Sequence, residues 1–165
     1  MNTALSLFPE YEPPPRKENP LKRLEVVRIA LVKDRPFLYE ANKLIRPADC
    51  AEAFRALLPD VDREHFVVFS LDGKNRISSA NIVAIGSLNQ AIVHPREVFK
   101  SAILSNAAAI LIAHNHPSGD PQPSAEDRAV TRRLKEGGEL LGIKVLDHIV
   151  IGQPGYFSFV ESGLL

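Results

Sequence analysis

The sequence predicts an α/β fold, a mixed β-sheet sandwiched by helices, and three observations predict it. From residue 64 onward, apolar runs of strand length alternate with segments of helical periodicity. One run, "AAAILIAHN" (107–115), is almost unbroken and lies between two helical segments, as a central strand covered on both faces would. A length of 165 residues with 45% hydrophobic content suits one packed core.

Five of the 13 prolines fall in the first 20 residues, and "YEPPPRKENP" has little periodic hydrophobicity, so residues 1–22 are expected to form a flexible Pro-rich arm. Residues 23–62 read as a strand-helix extension. "LEVVRIALV" (24–32) is β-branched and apolar enough for the strand, and "RPADCAEAFRALLP" (46–59) sets Ala51, Phe54, Leu57 and Leu58 on one helical face. Residues 63–165 form the main domain. There "EHFVVFSLD" is a buried strand, "DGKN" (72–75) a tight turn, and "RISSANIVAIG" with "AIVHP" completes a three-strand meander.

"PREVFKSAILSN" is a helix with Pro95 in its first turn and Val98, Phe99, Ala102 and Ile103 as its apolar stripe. After the central strand, a second helix runs from Ser124 to about Leu141, its last turns weakened by Gly137 and Gly138. "IKVLDHIVIG" (143–152) and "YFSFVE" (156–161) finish as strands.

Lysine plus arginine (20) balance aspartate plus glutamate (20), which gives no bulk electrostatic reason for nonspecific nucleic-acid binding. With Cys50 the only cysteine, neither an intrachain disulfide nor a thiolate zinc finger can form, and a reducing, cytoplasmic setting is expected. Neither a secretion signal nor a membrane span is expected.

The chemistry concentrates in "ILIAHNHPSGDPQPSAED" (110–127). Strand alternation would put His114 and His116 on one side at the sheet's carboxyl edge, where ligands bind in open α/β folds. Pro117, Ser118 and Gly119 then break the strand, and Asp127 falls in the first turn of the next helix. Two neutral imidazoles and a carboxylate can hold one Zn2+ with a fourth position left for water, whose pKa can fall towards roughly 7. Ser124 and Asp127 also read as an ordinary helix start, a serine N-cap followed by acids favoured by the helix dipole. The stretch contains no general base, and Glu64, opening a buried strand, is the strongest carboxylate elsewhere.

His114-Asn115-His116-Pro117, then Ser124 and Asp127, fit H-x-H-P-x(6)-S-x-x-D, which resembles the JAMM motif of JAB/MPN-type zinc metallopeptidases. The flanks "EHFVVFSLDGKNRI", "VHPREVFKSAI" and "VLDHIVIG" resemble the RadC-like branch of that group, over about residues 62 to 161. The resemblance implies a JAB/MPN, cytidine-deaminase-like architecture, with residues 63–165 as the catalytic domain. It further implies zinc on His114, His116 and Asp127, Glu64 as general base and Ser124 as a donor to the oxyanion. The reaction implied is hydrolysis of a peptide or isopeptide bond. Asn115 stands where deubiquitinating members carry Ser or Thr, and it matches the RadC-like pattern. Asn115, Ser118 and His148 are candidates for supporting the ligands or touching substrate.

His94 is expected to begin a helix, His65 to face away from Glu64 across its strand, and Cys50 to fill core space. Arg96 and Glu97 read as structural. The competing function is a DNA-repair or recombination accessory that binds nucleic acid without proteolysis. It is weakened by the balanced charge and by the lack of a helix-hairpin-helix pattern in residues 1–60. A metal-free partner-binding module is a further reading, disfavoured because every expected ligand is present. The letters "HNH" coincide with a nuclease name without its spread-out motif. A zinc deaminase would need H-x-E and P-C-x-x-C. The expected partner is a protein or peptide substrate, with no membrane, and the sequence leaves oligomeric state open, a homodimer included.

Overall fold

The computed structural model describes residues 25–38, 44–86 and 93–165. The element order is α1 (Pro47–Leu57), β1 (Glu64–Leu71), β2 (Ile77–Gly86), α2 (Pro95–Leu104), β3 (Ala109–Asn115), α3 (Ala125–Leu141), β4 (Lys144–Ile151) and β5 (Tyr156–Ser158). The strands form one mixed sheet in the order β2-β1-β3-β4-β5, in which only β3 and β4 run parallel. Helix α3 makes the crossover that a parallel pair requires. Among the described residues no helix is long and apolar enough to cross a membrane.

Helices cover both faces of the sheet, and strand alternation divides the core accordingly. Val67, Phe69 and Leu71 of β1, with Leu111 and Ala113 of β3, pack against Cys50, Ala53 and Phe54 of α1. Phe66 and Val68, with Ile110 and Ile112, pack against Val98, Phe99 and Ala102 of α2 and Leu134 of α3. Strand β3 is buried along its whole length, as its unbroken apolar sequence implied.

The strand expected over 24–32 is absent from the described residues 25–32, and the three-strand meander reduces there to two strands. Val26 and Val32 are 98% and 87% exposed, and no strand pairs with this segment among the described residues. β propensity without a neighbouring edge leaves the ladder unmade. Of the expected "AIVHP" strand, residues 91 and 92 lie outside the described residues, as does the 1–22 arm, while Val93 and His94 lead directly into α2 without strand pairing.

Strand β4 shifts its register against β3. Ile110 pairs with Val145 but Leu111 pairs with Asp147, so β4 carries one extra residue, Leu146. Before this shift Val145 faces α2 and α3; after it Ile149 and Ile151 face α1, which turns His148 towards α3. Gly137 and Gly138 do not end α3, which continues to Leu141 and closes on Gly142 in the left-handed conformation at φ 70°. Gly138 instead lets the chain entering β4 pass close by, since a Cβ there would sit 2.5 Å from the Ile143 carbonyl oxygen.

Gly138→Ala should therefore reverse the usual helix preference. In an open helix it would stabilise by about 1 kcal/mol; here overpacking should destabilise by roughly 1–3 kcal/mol, read as a lower urea midpoint at unchanged m-value.

Candidate metal centre

Alternation brings the candidate residues to one face. Glu64 shares its side of β1 with Phe66 and Val68, and His114 shares its side of β3 with Ile110 and Ile112, the side covered by α2 and α3. The β1–β3 register pairs Phe66 with His114, so Glu64 is carried to the same end of the sheet as His116. His116 N donates to the Ile151 carbonyl (3.0 Å), which continues the parallel edge of β3 one residue past the strand.

His114, His116 and Asp127 converge on a group that could hold a metal ion. His114 Nε2 lies 3.1 Å from His116 Nε2. Asp127 offers one carboxylate oxygen to each ring, Oδ1 at 3.2 Å from His114 Nε2 and Oδ2 at 3.4 Å from His116 Nε2. Burial pushes the Asp127 carboxyl up, but the close approach of the His114 and His116 rings and the hydrogen bond from Ser124 outweigh it and hold the group well below the usual carboxylate range. The Asp127 contact, in turn, raises the pKa of His116 above its ordinary value against the opposing effect of burial.

Each member of the group is fixed from behind. His116 Nδ1 lies 2.8 Å from the Asp120 carbonyl oxygen, an acceptor that leaves Nε2 free on the side of the group. The intervening loop is tied down by Gly119 N to the His116 carbonyl (2.9 Å) and by Gln153 N to the Gly119 carbonyl (2.8 Å). Gly152 permits that approach, because a Cβ there would come within 2.5 Å of the Gly119 oxygen. Asp127 is both a member of the group and the third residue of α3. Its Oδ2 accepts from Ser124 N (2.7 Å) and Ser124 Oγ (2.7 Å), while Asp127 N donates back to Ser124 Oγ at 3.1 Å.

His114 is fully buried, and its Nδ1 lies 2.8 Å from Nε2 of His148, which is also fully buried. His148 stacks on Phe159 with ring centroids 5.0 Å apart and meets Phe66 edge-on at 5.5 Å. Its Nδ1 is 2.6 Å from Thr131 Oγ1, which itself donates to the Asp127 carbonyl at 2.6 Å. Burial, reinforced by the neighbouring His114 ring, depresses the His148 pKa well below its ordinary value.

Asn115 points to the other face of β3 and clamps the end of β1. Its Oδ1 accepts from His65 N (2.8 Å) and its Nδ2 donates to the Arg63 carbonyl (3.0 Å), so both peptide groups flanking Glu64 are tied to β3. Ser118 lies exposed in the loop, where its hydroxyl accepts from Asp120 N (3.4 Å) and braces the residue whose carbonyl meets His116. The remaining candidates lie elsewhere: His94 caps α2 by accepting from Arg96 N at 3.2 Å, and Cys50 is a buried core thiol pushed up by desolvation. Arg96 pairs with Glu97 at 3.5 Å on the surface of α2.

Sequence reading did not single out Thr131 or Asp120, and it noted Asp147 only as the neighbour of His148. Asp147 is buried and accepts from Ser158 Oγ (2.5 Å), His148 N (2.7 Å) and Val160 N (3.0 Å), which secures the segment of β4 that carries His148. Asp147 and Thr131 carried a signal as polar residues on faces otherwise filled with core; Asp120, acting through its backbone, carried none.

Residues 44–164 match the family described as RadC-like JAB domain. The chain is 60% identical over 124 residues to a UPF0758 protein of Trichlorobacter lovleyi, covering 75% of this chain and 54% of the relative. It is 55% identical over 128 residues to a UPF0758 protein of Pelobacter propionicus, covering 78% and 56% respectively. A UPF0758 protein of Methanosarcina acetivorans is 49% identical over 124 residues, covering 75% of this chain and 54% of the relative. The chain thus spans about half the length of the curated relatives it matches.

Removing the Asn115 clamp should leave the buried His65 amide without its Asn115 partner at the end of β1, while the Arg63 carbonyl keeps its contact with His65 Nδ1 at 3.0 Å. Asn115→Ala is expected to cost about 1–3 kcal/mol in denaturant unfolding and to speed amide exchange at His65. Unchanged exchange there would contradict the clamp.

Proposed function

The chain belongs to the RadC-like JAB domain family, and from that premise we propose that it is a zinc-dependent metallopeptidase or isopeptidase. The observation that carries this reading is the convergence of His114, His116 and Asp127, each ligand atom backed by a hydrogen bond that leaves it facing the other two. Four-coordinate zinc with bonds of about 2.0–2.1 Å needs ligand atoms about 3.3–3.4 Å apart. The two imidazole nitrogens are 3.1 Å apart, close to that edge, and an Asp127 oxygen comes within 3.2 Å of one ring and 3.4 Å of the other, so one atom from each residue lies within reach of a single ion. Three protein ligands leave the fourth position to the reaction, as in catalytic rather than structural sites.

Zinc, when bound, supplies Lewis acidity towards a carbonyl and acidifies water at neutral pH. The chain's own groups supply the proton transfers. Glu64, on the ligand face of β1 and held through the Asn115 clamp, takes the proton of the attacking water on its carboxylate and hands it to the leaving amine. Ser124 presents its hydroxyl to Asp127 Oδ2 and thereby orients a ligand. To act as oxyanion donor it must turn that hydroxyl from the carboxylate to the substrate oxygen.

Metal content measured by elemental analysis after zinc reconstitution is expected at one ion per wild-type chain and to be lost in His114→Ala and Asp127→Ala. Glu64→Gln should keep zinc and lose about 10²–10⁴-fold in the rate of new amino-terminus formation from a proteome-derived peptide library, read by mass spectrometry. Zinc bound equally well by His114→Ala, or full turnover by Glu64→Gln, would refute the assignment.

A further inference from the structure

We propose that His148 and Thr131 form a one-way hydrogen-bond relay that fixes which nitrogen of His114 is free for a metal ion, making them positioning residues of the centre. The relay presupposes the proposed zinc site and concerns the order of protons along four groups already in contact.

His114 Nε2 faces His116 and Asp127, so a metal ion takes its lone pair there. The neutral ring then carries its proton on Nδ1 and donates it to His148 Nε2, 2.8 Å away. His148 must accept at Nε2, so its own proton resides on Nδ1 and points to Thr131 Oγ1 at 2.6 Å. Thr131 accepts that proton and sends its single hydroxyl hydrogen to the Asp127 carbonyl at 2.6 Å. The relay starts on one ligand and ends on the backbone of another.

The reverse order is geometrically available and has the opposite effect. If Thr131 donated to His148 Nδ1, then His148 Nε2–H would donate to His114 Nδ1, and the His114 proton would move to Nε2 and block the ligand position. That order also forfeits the Thr131 bond to the Asp127 carbonyl. The helical carbonyl four residues before Thr131 therefore selects the order compatible with a metal ligand. Phe66 and Phe159 pack against the His148 ring and hold it where both nitrogens reach their partners.

The test uses zinc alone as the probe, in competition with a chromophoric chelator. Thr131→Val, which keeps the shape and removes the hydroxyl, should weaken zinc binding about 10- to 100-fold, whereas Thr131→Ser should restore it to near the wild-type value. In zinc-loaded wild-type protein labelled with ¹⁵N-histidine, long-range NMR should find the His148 proton on Nδ1, a readout independent of any variant's stability. Wild-type affinity in folded Thr131→Val, or a proton on His148 Nε2, would overturn the relay while leaving the zinc site intact. Failure of the wild type to bind zinc would overturn the site reading and the relay with it.

Discussion

The site depends on one constraint: a fully buried imidazole stands one residue from the end of a strand that is apolar up to that point, and both of its nitrogens must find partners. His114 meets this requirement in two directions. Nδ1 turns inwards to His148, and Nε2 turns to the end of the sheet where His116 and Asp127 wait. The inward partner brings β4 and α3 into register, and the outward partners bring in the 116–121 loop and the start of α3. A buried polar group left unmatched costs several kcal/mol, so the four elements are held to a common geometry by the same ring.

Asp127 serves two structures at once. A carboxylate at the third position of α3 would ordinarily only close a capping box with the serine before the helix. Here the same carboxylate faces two imidazoles, and its carbonyl receives Thr131 from the next turn. The helix start and the candidate ligand position therefore form together. For Asp127 the capping role and a place in the His/His/Asp group are not alternatives, because the hydrogen bonds from Ser124 that cap the helix also aim the carboxylate at the two imidazoles.

Much of this was legible in the sequence. The unbroken run 107–115 announced a central strand, period two placed His114 and His116 on one side of it, and the serine three residues before Asp127 marked the helix start. Local rules sufficed because each of these placements depends on position within a single element. What was not legible depended on pairings between elements. The apolar segment 24–32 read as a strand, but propensity could not reveal that the described residues 25–32 have no sheet edge to join. Gly137 and Gly138 read as weak points because the close approach of Ile143 is a tertiary fact. Thr131 carried a signal as a polar residue on the buried face of α3, but its partner depended on the position of the His148 ring.

The same limit applies most sharply to His148. Strict alternation from Val145, which faces α3, would aim residue 147 at that helix and turn residue 148 away. The extra residue at Leu146 changes the phase, so β4 is read in two frames: the first fits the hydrophobic layer, and the second, beginning at Asp147, fits the imidazole cluster. The bulge is in effect a frame marker. It lets one short strand meet two incompatible periodic demands, and a sequence pattern averaged along β4 shows neither.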